Sequence, residues 1–256
     1  MNLSAQRCLV IPDVHQDIAW VERILAREPE ADLVVFLGDY FDSRRSPEER
    51  AGVVETCVYL DALRVRLGER GVFLLGNHDV QYFEARAACL AQRTPRHLRY
   101  KCGPSFIPSA AKQIAKTLAP EFWSASRLFV NVNGWLLSHA GVAPVHWPAR
   151  GTLAESLGAL EQACAIALQS LAAPGVFRAA HPLLQAGYVR GGDTPVGGLT
   201  WLDWDHEFED ALPTPQIVGH TVSALGARQS GRSLCLDGGQ TCYGVLEAGE
   251  LRVREA

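Results

Sequence analysis

Three short stretches of the 256-residue chain carry side chains that bind divalent cations, and each directly follows an apolar run. Pro12-Asp13-Val14-His15 follows residues 8–11 (CLVI), Gly38-Asp39-Tyr40-Phe41-Asp42 follows 33–37 (LVVFL), and Gly76-Asn77-His78-Asp79 follows 72–75 (VFLL). Carboxylate, imidazole and amide oxygen together suit hard or borderline divalent metals. Two further tips add histidine: Ser138-His139-Ala140-Gly141 after 135–137, and Gly219-His220-Thr221 after 217–218. Each stretch alone has an ordinary reading. An Asp-x-His pair can be a turn with a capping aspartate, Asn77, His78 and Asp79 can satisfy helix-end amides, and a lone histidine after a strand is more often a hydrogen-bonded core residue. Recurrence at successive apolar runs is what points to a metal site.

The elements that must position these residues alternate. Residues 8–11 read as a buried strand, and 17–28 as a helix with Ile18, Val21, Ile24 and Leu25 on one face, stopped by Pro29. Residues 33–37 are too short and too β-branched for an amphipathic helix and read as a strand buried on both faces. Ser46-Pro47-Glu48-Glu49 has the form of a capping box and predicts a helix from there to about Leu67, followed by a third strand at 72–75. This order implies a parallel sheet with right-handed crossovers, in which ligands bind beyond the carboxyl ends of the strands. Further on, Asn133-Gly134 between apolar runs predicts a hairpin, and Thr152 with Glu155 caps a helix to about Ala172. Short strands at 216–218, 227–229, 234–236, 243–246 and 251–253 suggest a second sheet packed on the first. Residues 93–120 and 174–215 show no regular pattern. The length fits one domain over residues 1–256.

The succession D-x-H, G-D-x-x-D, G-N-H-D, H and G-H, from Asp13 to His220, resembles the calcineurin-like metallophosphoesterases. Gly-Asp-Tyr-Phe-Asp, Ser-His-Ala-Gly and Leu236-Asp237-Gly238-Gly239 look most like the branch of the PPP-type Ser/Thr phosphatases and symmetrical diadenosine tetraphosphatases. The resemblance implies an α/β (α+β) metallophosphoesterase fold, a two-sheet β-sandwich flanked by helices, with a dinuclear metal centre at the strand ends. It implies that Asp13 and His15 bind one ion, that Asp39 bridges, and that Asn77, His139 and His220 complete the second. Position alone does not tell which aspartate bridges. His78 is then the general acid and Asp42 orients it, although Asp42 can also be read as a helix cap. Two divalent ions are implied, with manganese the first choice and iron or zinc suited to the same donors. Gly38, Gly76 and Gly219 would let the backbone turn sharply out of each strand, and Asp237 would support the site from behind.

The implied reaction is hydrolysis of a phosphomonoester, as in Ser/Thr protein phosphatases, by direct attack of a bridging hydroxide. The alternative is a nucleotide hydrolase acting on dinucleoside polyphosphates or cyclic nucleotides, with Trp201 or Trp204 stacking a base. A remote alternative is a non-catalytic binding module on the same fold. The protein phosphatases follow G-D-x-x-D with Arg-Gly, whereas this chain has Ser43-Arg44-Arg45. Arg44, Arg45 and Arg190 are therefore the candidates for gripping the phosphate, and a bidentate contact is strict in geometry.

The composition bounds the partners. With 48% hydrophobic and 20% charged residues, the chain is neither a disordered tail nor a fibrous repeat. Lys plus Arg total 24 against 28 for Asp plus Glu, a net charge of −4, so no global field holds nucleic acid and no stable nucleic-acid complex is expected. The expected partner is a phosphorylated substrate, a phosphoprotein or a nucleotide, held locally. Residues 93–101 (RTPRHLRYK) are locally basic and read as an exposed insertion. No apolar run reaches the ~18 residues of a membrane span. Seven scattered cysteines without C-x-x-C, and a short polar start unlike a signal peptide, fit reduced thiols and a cytoplasmic protein.

Overall fold

A computed structural model describes residues 2–43, 45–46, 48–91, 106–172 and 181–256. Arg44 and the basic stretch 93–101 lie outside the described residues.

The first half builds the expected parallel unit. Strand β2 (Arg7–Ile11) runs through helix α1 (Ile18–Arg27) to β3 (Leu33–Phe36), and β3 through α2 (Val53–Leu67) to β4 (Gly71–Phe73). All three strands pair in parallel. Helix α1 starts where the Asp17 carboxylate accepts from the Trp20 amide at 2.9 Å, and it buries Trp20, Val21 and Ile24. Helix α2 begins later than the capping-box pattern suggests. The Glu49 carboxylate accepts from the amide and hydroxyl of Ser46, closing a local turn, and the helix starts only after Gly52. Helix α3 (Asn77–Leu90) precedes residues 93–120, where the sequence shows no regular pattern; α4 (Pro108–Thr117) forms within them and α5 (Pro120–Ala125) follows, each of the latter two with proline in its first turn.

Two sheets form. One has the order β11-β10-β2-β3-β4, the other β1-β5-β6-β7-β9-β8, with β1 at Asn2–Leu3, β5 at Phe129–Val132, β6 at Trp135–Ser138, β7 at Gln216–Val218, β8 at Arg228–Ser230 and β9 at Ser233–Cys235. Strands β10 (Cys242–Glu247) and β11 (Glu250–Glu255) join the first sheet instead of the second, because β10 pairs antiparallel to β2. The hairpin of β5 and β6 is as predicted, with φ of 51° at Asn133 and 84° at Gly134, the positive pair such a turn needs.

The alternation along each strand divides the core. Cys8 and Val10 of β2, with Leu33 and Val35 of β3, meet Val130, Val132, Leu137 and Ile217 of the other sheet. Leu9, Ile11, Val34 and Phe36 point the opposite way, to Trp20, Ile24, Leu60 and Leu63 of the helices. Helix α6 (Leu153–Ala172) opens on the Thr152–Glu155 capping box and packs Leu160 and Ala167 into that same helical layer. The result is a two-sheet sandwich flanked by helices.

Candidate metal centre

The tips of β2, β3, β4, β6 and β7 converge. Backbone bonds knit them in pairs: the His15 amide donates to the Asp39 carbonyl (2.7 Å), and the Gly219 amide to the His139 carbonyl (2.7 Å). Two groups of potential ligands result, Asp13–His15–Asp39 and Asp39–His139–His220, each with its ligand atoms within 4.8 Å of one another, and Asp39 is common to both. Asn77 joins the second group, its Oδ1 lying 3.0 Å from His139 Nε2.

The tautomers are set from behind. His15 Nδ1–H donates to the Phe41 carbonyl (2.9 Å) and His139 Nδ1–H to the Leu37 carbonyl (3.0 Å), leaving each Nε2 with its lone pair directed at the cluster. Around His139 Nε2 stand Asn77 Oδ1 at 3.0 Å, His220 Nδ1 at 3.2 Å and Asp39 Oδ2 at 3.4 Å. Asn77 Oδ1 and Asp39 Oδ2 turn lone pairs toward the lone pair of that nitrogen, and a divalent cation among them would turn the same arrangement into ligation. The donor set therefore fits a metal. Burial pushes Asp13 up to about 6 and Asp39 well above the carboxylate range, and the opposing charge of His78 offsets this only in part. Burial holds His139 down at about 3 and His220 well below the usual imidazole value.

Backbone strain collects here. His15, Asp39, Asp42 and His220 all have positive φ, from 43° to 69°, a region costly for residues with a Cβ. Gly38 has φ of 111°, as a sharp turn requires. Gly76 and Gly219 serve a different need: a Cβ on either would stand 2.1 Å from an Asp39 or Asp13 carboxylate oxygen. Asp79, completely buried, accepts from the amides of Asp39 (2.7 Å), Tyr40 (2.9 Å) and Gly76 (2.9 Å) and so shapes the loop that presents Asp39. The sequence signal for that role was its place in Gly-Asn-His-Asp.

His78 stands beside both groups. Its Nε2 is 3.9 Å from Asp39 Oδ2 and its Nδ1–H donates to Asp42 Oδ2 at 2.9 Å. Burial disfavours its charged form, yet the charges of Asp39 and Asp42 outweigh this and raise it to about 9. Among the described residues Asp42 caps no helix, since α2 starts at Val53. Arg190 pairs with Asp203 (2.7 Å) and donates to Thr221 Oγ1 (2.8 Å), beside His220, whose pKa its charge lowers. Arg45 is taken up by Asp17 at 2.5 Å. Trp201 lies edge-on to the His220 ring at 5.8 Å, whereas Trp204 is buried and stacked on Phe208. Asp237 is buried and raised to about 7 by burial and by Asp13.

Residues 6–147, more than half of the chain and including every strand tip up to His139, match the model of the calcineurin-like phosphoesterases. The chain belongs to that family. As a calcineurin-like phosphoesterase it is a hydrolase. The fold is shared with a cold-active protein-tyrosine phosphatase of a psychrophilic Shewanella species, at 17% identity and a TM-score of 0.60, covering 99% of this phosphoesterase and 79% of that chain. It is also shared with a protein serine/threonine phosphatase from Saccharomyces cerevisiae, at 14% identity and a TM-score of 0.52, covering 100% and 83%. Among curated proteins, none matches the sequence. No helix of the described residues is long and apolar enough to cross a membrane.

Proposed function

We propose that this phosphoesterase hydrolyses phosphomonoesters with the help of two divalent cations, in the manner of the Ser/Thr phosphatases. The observation that carries the reading is the pair of ligand groups sharing Asp39. Asp13, His15 and Asp39 would hold one cation; Asp39, Asn77, His139 and His220 would hold the other. Manganese is the first choice. Such ions, when bound, would supply Lewis-acid charge to the phosphoryl group and lower the pKa of water so that hydroxide is available for the attack. His78 holds a proton at Nε2 beside the cluster and delivers it to the departing oxygen, with Asp42 fixing the ring. Asp203 and Thr221 hold Arg190 beside His220, where its charge favours a phosphate dianion. Arg45 is likewise engaged by a carboxylate, that of Asp17, and has no such place beside a candidate ligand, so it is the weaker candidate for that task.

Residues 1–256 would act as one domain, because the ligands come from both sheets. The six described cysteines are free and buried, which supports a reducing, cytoplasmic setting. Phosphatases among the proteins of like fold support a phosphoprotein or other phosphomonoester as substrate. A second reading, a nucleotide hydrolase, is favoured by Trp201, partly exposed against His220 and available to stack a base. Metal-stripped protein reloaded with Mn²⁺ and offered a phosphoserine peptide, diadenosine tetraphosphate and a cyclic nucleotide under identical conditions separates these. The highest kcat/KM belongs to the peptide on the first reading. An advantage for either nucleotide overturns it.

A further inference from the structure

Asp42 receives more donors than orienting one histidine requires. Besides His78 Nδ1–H, its carboxylate accepts from Gln81 Nε2 at 2.9 Å on the same oxygen, and from the Tyr82 hydroxyl on the other. His78, Gln81 and Tyr82 are at positions i, i+3 and i+4 of α3, so one face of a single helix presents all three donors. Gln81 and Tyr82 are buried, and the Asp42 side chain is 3% exposed. Tyr82 is itself wedged: its ring stacks on Phe106 at 5.3 Å and its oxygen accepts from the Ile107 amide at 3.4 Å.

A carboxylate bonded only to His78 is free to rotate about its Cβ–Cγ axis and take the imidazole with it. With one oxygen shared by His78 and Gln81, and the other tied to Tyr82, both oxygens are fixed, and so is the direction of His78 Nε2. The backbone at Asp42 needs such an anchor, because its φ is 63°. We propose that Tyr82 and Gln81 are positioning residues for His78, acting through Asp42, and that Tyr82 is the larger contributor. The proposal rests on the general-acid reading of His78. Burial and the Asp42 charge push the Tyr82 phenol well above its usual range, so it remains a donor.

Proton delivery matters most for a poor leaving group, which separates positioning from mere structural support. Steady-state rates of the Mn²⁺-loaded protein would be compared on phenyl phosphate and on 2,4-dinitrophenyl phosphate, whose leaving group needs little protonation. Tyr82→Phe should lower kcat on phenyl phosphate ~10–100-fold with KM held, and change the dinitrophenyl ester less than ~3-fold. In a His78→Asn background the same substitution should cost nothing further. Equal losses on both esters, no loss on either, or an undiminished effect without His78 would overturn the proposal. Should Tyr82→Phe fail to fold, Gln81→Leu must show the same selectivity, and an equal loss on both esters there overturns it too. His78→Asn alone is the control. If it shows no leaving-group selectivity, the acid reading falls and the positioning role falls with it; if it does and Tyr82→Phe does not, only the positioning role falls.

Discussion

The two ends of strand β2 carry carboxylates in opposite circumstances. At the start of the strand, the Arg7 guanidinium donates to Glu28 (2.5 Å) and Glu247 (2.8 Å), the Tyr243 hydroxyl donates to Glu28 (3.0 Å), and Asp32 accepts from the amides of Gln6 and Arg7, both at 2.8 Å. Burial works against the charge of Glu28 and Asp32, yet these donors outweigh it and hold both below the usual carboxylate range. Just beyond the end of the strand, Asp13 lies among Asp39, Asp79 and Asp237, and burial pushes all four up. The first cluster carries its own counter-charges and is complete as folded. In the second, the nearby charge of His78 offsets burial only in part, and the carboxylates stay raised. Buried carboxylates left short of counter-charge mark a candidate ligand site.

That contrast breaks first at the shared ligand. Asp39→Asn should lose both bound metal, read by elemental analysis, and turnover, by more than the ~10⁴-fold upper range of a lost general acid. Retention of two equivalents of metal would contradict the bridging role. His78→Asn should keep the metal and lower turnover on poor leaving groups by ~10²–10⁴-fold; an unchanged rate removes His78 from the reaction. Chelation should next destabilise the wild-type fold, by about 2.7 kcal/mol relative to metal at a hundred times its Kd. Thermal unfolding measures this, and Asp39→Asn should show no such shift. The smallest change is expected at the self-sufficient end. Glu28→Gln should cost about 2 kcal/mol of stability, the worth of a charge-assisted hydrogen bond, with metal content and kcat unaltered. The sign with pH follows from the lowered pKa of Glu28. Its stabilisation is complete above the ordinary glutamate range and fades as pH falls through the lowered value, so wild type and Glu28→Gln should converge in acid. Parallel stability curves would show that Glu28 contributes no charge-dependent term.

Much of this was readable before any coordinate. The donors after residues 8–11, 33–37 and 72–75 are where the parallel unit presents them, and Asn133-Gly134 and Thr152–Glu155 do locally what their types require. Local chemistry also misled. Ser46 and Glu49 satisfy each other in a turn that no helix follows directly, and a capping pattern cannot show whether the chain continues as helix. Strands β10 and β11 were legible as strands but not as members of the first sheet, because pairing with β2 joins residues more than two hundred positions apart.

The sequence by itself determined the kinds and order of the candidate ligands, since alternation and turn chemistry place residues at strand ends through contacts between near neighbours. Only the tertiary structure decided that Asp39 is the carboxylate common to both groups, that Asp42 is gripped by Gln81 and Tyr82 as well as His78, and that Arg190 lies beside His220 while Arg45 is taken by Asp17. Each of these depends on distances between side chains on different elements, which packing sets and sequence spacing does not encode.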